Sequence, residues 1–307
     1  MARTDSLTNF LTDIANAIRS KKGTQEPIVA SNFDTEIESI EANTKYAPQF
    51  ITFTNFTGDD LTYETTNLDA SNLTTMKNMF NGCKNVKSLD VSEWDTSNVT
   101  NMQGVFSGCN KVKILDVSKW DTSNVTYLVY MFQHCSSLTS LDLSSFDTSN
   151  ITSLSTMFNG CNSLINLDLS SFDTTSVTTI DYMFAYCSSL TNLDLSNFDV
   201  GKVSYVSYLF VSCRNLKNFK SFENLGKGYT QKSNNYSSYA LKVNDCSLLT
   251  HESLMSIINN LYDLNLTYDV ANGETLYTQS LILGSTNLAK LTAEEIAIAT
   301  NKGWNVS

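Results

Sequence analysis

Apolar side chains recur along this chain with short periods set inside one long period. Near the start, Leu7, Phe10, Leu11, Ile14, Ala15 and Ile18 follow the i, i+3, i+4, i+7 spacing of an amphipathic helix. Asp5 or Ser6 can cap it, Lys21 and Lys22 suit its C-terminal dipole, and Gly23 can end it. A second short helix is expected from Ser31, with Asp34 and Glu36 in its first turn and Ile37 and Ile40 on its apolar face. Two short helices bury little by themselves. Either they form a cap on the rest of the chain or they dock on a partner. The docking alternative makes Leu7, Phe10, Leu11, Ile14 and Ile18 the candidate attachment residues.

The long period is 26 residues. Cys83, Cys109, Cys135, Cys161, Cys187 and Cys213 keep it, and so do Phe80, Phe106, Phe132, Phe158, Phe184 and Phe210. Asp90, Asp116, Asp142, Asp168 and Asp194 keep it as well. Leu141 to Asn166 is a clear copy, and five full copies run from Leu89 to Asn218. A degenerate copy precedes them, with Asp69, Asn72, Met76, Phe80 and Cys83 in register. A fixed period of this size predicts a solenoid whose neighbouring units share one core. The Leu-Asp-Leu triplet is too short for a helix. It suits a short strand with Leu141 and Leu143 inward and Asp142 outward, and such strands would form a parallel sheet along one face. Asp147-Thr148-Ser149-Asn150 is rich in turn and cap formers. It can start a short helical stretch whose apolar positions 151, 154, 157 and 158 fit helical spacing, after which Gly160 turns the chain back.

The register fails after about Lys220. Ser221 to Ala240 reads as an irregular excursion, Leu241 to Val243 resumes a strand-like alternation, Thr250 to Leu261 looks helical, and Leu276 to Leu283 reads as a strand. Leu291 to Glu295 has the capping-box form, and Gly303 can close the helix that follows. A solenoid needs a cap over its open end, and this segment is long enough to supply one.

Composition narrows the chemistry. The 307 residues carry a net charge of −11, which disfavours nucleic acid as a ligand. No apolar run of signal-peptide or membrane-span length occurs, so the expectation is folding in a bacterial-type cytoplasm without membrane insertion. The two histidines, His134 and His251, leave little scope for histidine catalysis, and His134 takes a glycine-type position of its repeat. No positioned nucleophile, phosphate loop or dinucleotide fingerprint is present. Paired carboxylates for sugar hydrolysis stay open, but the expectation is no enzyme activity, no cofactor and no metal. The registered cysteines form no C-x-x-C pair and are expected as a reduced core column, with Cys246 outside the register. Of the two aspartate ladders, the one from Asp95 through Asp121, Asp147 and Asp173 to Asp199 accepts backbone N–H groups at a turn. The one from Asp90 to Asp194 faces out from the sheet, where calcium bridging lacks a recognisable loop motif. Asn98, Asn124 and Asn150 start N-x-S/T sequons that arise from the repeat and are expected as turn residues.

Tyr127, Tyr130, Tyr182, Tyr186, Tyr205 and Tyr208 fall at positions that the repeat leaves free, among Ser, Thr and Asn. They are either half-buried surface residues or the rigid aromatic anchors of a contact surface.

The copies, such as Leu141-Asp-Leu-Ser-Ser-Phe146-Asp-Thr-Ser-Asn150, resemble the BspA-type leucine-rich repeats of bacterial surface proteins over roughly residues 63–220. That resemblance implies adhesion or protein interaction. The opening Leu7 to Glu41 and the closing Gly284 to Trp304 resemble end segments of tail and baseplate proteins from phages of Gram-positive bacteria. They imply attachment to a virion with an exposed repeat region. The fold expected is therefore an α/β, leucine-rich-repeat-like solenoid in three parts: residues 1–47 for attachment and oligomerisation, 48–220 for the repeats and 221–307 for the cap. The function expected is a non-enzymatic phage tail, baseplate or fibre protein. It would be a homo-oligomer exposed on the virion, meeting other virion proteins through its N-terminal segment and a host-surface protein or glycan through the repeats. A bacterial surface adhesin is the alternative and a repeat-scaffold enzyme the third reading.

Overall fold

The structure, a computed structural model, describes residues 51–66, 68–203, 206–227, 239–266 and 279–307. The expected N-terminal helices, with Leu7, Phe10, Leu11, Ile14 and Ile18, lie outside the described residues, as does Tyr205.

Successive repeats lie side by side and hydrogen-bond to one another in register. The densest bonding follows the segment expected to be helical. Leu154, Thr156, Phe158 and Gly160 donate their N–H groups to Thr179, Asp181, Met183 and Ala185 of the next repeat at 2.8–3.0 Å. Between them, Met157 and Cys161 donate to Leu154 and Phe158 three residues back. The segment is therefore a run of four-residue turns, and the expected helix is absent. A helix would need every N–H for the carbonyl four residues back, but alternate N–H groups here are spent on the neighbouring repeat. Chain reversals every three or four residues still point Ile151, Leu154, Met157 and Phe158 inward, all of them fully buried. Apolar spacing alone does not separate the two conformations.

The Leu-Asp-Leu column pairs regularly only late in the chain. Strand β1 (Asn192–Asp194) runs parallel to β2 (Asn218–Lys220), with Leu193 opposite Phe219, and Asn166 bridges to Asn192. Leu143 is buried and Asp142 exposed as expected, but Leu141 is only half-buried. The aspartate side chain takes a backbone donor in the copies with and without a strand: Ser144 N–H binds Asp142 Oδ1 at 3.0 Å, and Ser196 N–H binds Asp194 Oδ1 of β1 at 3.0 Å.

Side-chain columns fill the interior. Phe53, Phe80, Phe106, Phe132, Phe158, Phe184 and Phe210 stack with centroids 5.3–5.9 Å apart and planes within 10° of parallel. Buried Thr122 ties two repeats together, accepting the Asp147 N–H at 2.8 Å and donating to the Asp147 carbonyl at 3.0 Å. Each repeat cysteine donates its S–H to the carbonyl of the phenylalanine one register back, as Cys135 does to Phe106 at 3.2 Å. Cys246 follows Cys213 by 33 residues, outside the 26-residue register as expected, yet its S–H donates to the Phe210 carbonyl at 3.8 Å and so continues the pattern of the column.

Beyond the repeats, β3 (Tyr239–Lys242), β4 (Gln279–Ile282) and β5 (Trp304–Val306) form a parallel three-stranded sheet in that order. Thr62–Thr66 is a short helix α1 near the start, its first turn capped by Asp60. Helix α2 (His251–Asn260) is N-capped by Thr250, and α4 (Ala293–Asn301) has the capping box of Thr292 and Glu295, with a single-turn α3 (Ser285–Leu288) before it. One buried apolar cluster runs without a break from Phe53 to Trp304, across the expected boundary at residue 220. Among the described residues no helix is long and apolar enough to cross a membrane.

Candidate binding face

The four-residue turns decide which side chains leave the stack. In five successive repeats two positions, four residues apart, hold left-handed backbone, and in the next, with Tyr208 and Ser212, only the second does. The first position is Asn78, Gly104, Tyr130, Thr156 and Tyr182 in successive repeats, with φ of 56–63°. The second is Gly82, Gly108, His134, Gly160, Tyr186 and Ser212, with φ of 57–79°. Glycine, with no β-carbon, and asparagine, whose short side chain bonds locally, suit this conformation, whereas other residues cost about 1–2 kcal/mol there. Three of the candidate tyrosines occupy such positions. The glycines and asparagines at the equivalent positions were the visible sign of it in the sequence.

Tyr127, Tyr130, Tyr182 and Tyr186 are all exposed, at 37–56% of their surface, and they make up most of the large exposed apolar side chains among the described residues. Tyr208 is half-buried: it stacks on Tyr182 with centroids 4.7 Å apart, and Lys242 Nζ lies 5.4 Å from its ring centroid. The repeats divide the set into two groups. Tyr127 and Tyr130 stand in one repeat, Tyr182 and Tyr186 two repeats further on, and the repeat between presents Ser153, Ser155 and Thr156. Lys242, Thr156 and Asp181 were not singled out from sequence. Asp181, just before Tyr182, has one carboxylate oxygen shut off from water, without a hydrogen-bond partner among the described residues. Burial raises its pKa above the usual carboxylate value.

The outward ladder faces solvent as expected, with Asp116, Asp142, Asp168 and Asp194 exposed, and it also does the work of the other ladder. Asp90, Asp116, Asp142, Asp168 and Asp194 each accept the N–H two residues on at 2.9–3.1 Å, as Asp95, Asp121 and Asp173 do at 2.9–3.0 Å. These N–H and hydroxyl donors hold Asp90, Asp116, Asp142 and Asp168 below the ordinary carboxylate range. At Asp194, burial pushes the other way, and Lys220 (2.8 Å) with Ser196 outweighs it. Among the described residues no three His, Cys, Asp or Glu side chains come together as metal ligands. The Asn98, Asn124 and Asn150 amides are engaged, donating to the Ser71, Ser97 and Ser123 carbonyls at 2.8–3.0 Å. Of the histidines, His134 lies against Gly160, and His251 Nε2 meets Glu295 Oε1 at 2.8 Å, linking α2 to α4. A groove of about 340 Å³ opens between β1, β2 and α2, with Asp194, Lys220 and Glu252 on its wall.

Hydrogen-bonded repeats and stacked core columns make this a repeat protein, and its family match is to a BspA-like repeat family. The chain belongs to the family described as "Mycoplasma protein of unknown function, DUF285", which matches residues 44–142 and 128–244. No curated protein and no solved structure matches the chain.

Proposed function

We propose that this chain is a non-enzymatic bacteriophage virion protein of the tail, baseplate or a fibre. In this reading its repeats wind as a leucine-rich-repeat-like solenoid and present the tyrosine face to a protein or glycan on the host surface. The observation that carries the binding half is the placement of Tyr130, Tyr182 and Tyr186 on left-handed backbone while their rings stay exposed. Such backbone is unfavourable for tyrosine, and an exposed ring returns little burial energy to offset it. Contact with a partner is what a rigid, exposed tyrosine among hydroxyls is suited to. The virion half rests on the two end segments and their likeness to phage proteins. It assigns residues 1–47 to contact with other virion proteins and to homo-oligomer formation, and it involves no cofactor, nucleic acid or membrane insertion.

Light scattering on the full-length chain and on a deletion of residues 1–45 tests the attachment segment. An oligomer that becomes monomeric on deletion is expected, and recovery of the protein with phage particles tests the location. Monomers in both samples, or absence from particles, would favour the second reading, a bacterial surface adhesin. The family's own description favours that reading, because it names a cellular organism. An adhesin is found on cells without phage induction. A repeat-scaffold enzyme, the third reading, would lose turnover on substitution of a single carboxylate.

A further inference from the structure

Tyr182 and Tyr208 stack with their planes 10° apart, so the Tyr182 ring lies across the direction in which the repeats succeed one another. Tyr208 covers one of its faces. The other looks back toward the preceding repeat, where the equivalent residue is Thr156, and one repeat further back stands Tyr130. These three residues share the same left-handed turn position, with φ of 63°, 62° and 56° along the chain, so their side chains leave the stack from matching places. At roughly 4.8 Å per strand-like step, Tyr130 and Tyr182 are about 10 Å apart. The phenylalanine column through the same repeats steps by 5.8 and 5.9 Å, which makes the opening slightly wider. Thr156, smaller than either tyrosine, stands between them. With the Tyr130 ring turned parallel to Tyr182, one further ring would fit at about 5 Å from each, inside the roughly 4.5–7 Å range of stacked rings.

Hydroxyls stand beside Thr156 and at the Tyr127 position of the same repeats. Thr179 Oγ1 donates to Ser153 Oγ at 2.7 Å, and Ser153 Oγ donates to Ser155 Oγ at 3.2 Å. We propose that the slot between Tyr130 and Tyr182, with Thr156 between them and these hydroxyls beside it, takes one ring of an uncharged glycan. The proposal rests on the reading of this face as the contact surface. A sugar ring offers an apolar C–H face to each tyrosine and a hydroxyl edge to these hydroxyls. Nucleic acid and anionic polymers meet a chain of net charge −11 and are repelled. A partner protein's aromatic side chain would match the two rings but leave the hydroxyls unused.

The test uses the labelled full-length protein on a panel of Gram-positive cells. One sample of the cells is oxidised with periodate, which cleaves the vicinal diols of sugars, and another is treated with protease. Retention that is lost after periodate and kept after protease is expected. Thr156→Tyr should fill the slot and lower retention about tenfold or more, and Tyr182→Ala should do the same, as expected for loss of one stacked ring. Tyr182→Phe should retain binding. Thr156→Tyr folds if the proposal is sound, because Tyr130 and Tyr182 already occupy that backbone position; circular dichroism checks it. Retention that resists periodate and is lost to protease would overturn the glycan while leaving the contact face in place. Binding unchanged in Thr156→Tyr and Tyr182→Ala would overturn the slot. No retention on any cell would overturn both.

Discussion

Ser253 Oγ accepts the Phe219 N–H at 2.9 Å and donates to the Lys217 carbonyl at 3.1 Å, standing in for the next strand. One turn along α2, Ser256 Oγ accepts the Ser221 N–H at 2.9 Å, Asn260 donates to the Ser221 carbonyl at 3.2 Å, and the Thr250 N–H takes Lys217 at 2.9 Å. A helix thus satisfies the open edge of β2 with its side chains. An uncovered edge would be a template for pairing with another chain.

Ser253→Ala is therefore expected to leave the buried Phe219 N–H unpaired and to cost about 1–3 kcal/mol. The double variant Ser253→Ala/Ser256→Ala should also associate, because two adjacent edge donors become available. Urea unfolding measures the first effect and light scattering the second. A double variant as stable and as monodisperse as its parent would mean that water satisfies this edge and that α2 merely packs over it.

The aspartate ladders set the acid limit. Asp90, Asp95, Asp116, Asp121, Asp142, Asp168 and Asp173 all have folded pKa values held below 3.8 by the N–H and hydroxyl groups two residues on. A carboxylate with a depressed folded pKa adds stability that is present above its unfolded value and lost as the pH falls through the folded value. The melting temperature should stay flat between about pH 5 and pH 7 and drop below about pH 4. Asp181 has the opposite sign, since burial raises its pKa. Asp181→Asn should raise the melting temperature at pH 7, with the gain vanishing in acid. A gain that persists at low pH would have to come from packing.

The cysteine column should be chemically silent because burial closes all seven thiols, including Cys83, whose thiol alone is pulled down, by its hydrogen bond with Cys109. Burial pushes the Cys135, Cys187 and Cys246 thiols up to about 12, and only the thiolate reacts readily. All seven cysteines are buried and free. Native protein at pH 8 should leave an aromatic disulfide reagent unreacted for as long as it stays folded, and denatured protein should titrate seven thiols. A thiol whose folded pKa is raised is most stabilising below its unfolded value, so stability should fall from about pH 9 upward. Rapid reaction in the native state would show that the repeats open locally.

The 26-residue recurrence of Phe and Cys was legible because a column in the stack demands one side-chain type at each step. The conformation between columns was not. Helix and serial turns both bury residues 151, 154, 157 and 158, and the difference lies in where the backbone N–H groups go. Gly82, Gly108 and Gly160 carried that information, since a recurring glycine with positive φ marks a turn. The continuation of the column at Cys246 was not legible because the longer loop before it breaks the count while its place in space is kept. Strand β5 was missed because three residues, Trp304 to Val306, give too short an alternation to read. Tyr127, Tyr130, Tyr182 and Tyr186 were legible as surface residues, since the repeat leaves their positions free. The threonine and serines between them were not, because a gap shows only when two repeats are counted together.

The tyrosines offer one more separation between scaffold and surface. Tyr130 has φ of 63° and 40% of its surface exposed, and Asn78 holds the same turn position two repeats earlier with φ of 57°. Asparagine tolerates left-handed backbone better than any aromatic residue. Tyr130→Asn should therefore leave stability unchanged or raise it by up to about 1 kcal/mol, while binding to cells falls. A structural tyrosine behaves otherwise: its removal forfeits buried apolar area and costs about 1.5–3 kcal/mol. Thermal unfolding of Tyr130→Asn beside its parent reads the sign directly. A clear loss of melting temperature would make Tyr130 part of the scaffold and remove the argument that its backbone strain is maintained for contact. A gain, paired with weaker cell binding, would place the residue on the side of function, where a turn position held by Asn78 and Gly104 in the two preceding repeats keeps an exposed ring at the expense of its own stability.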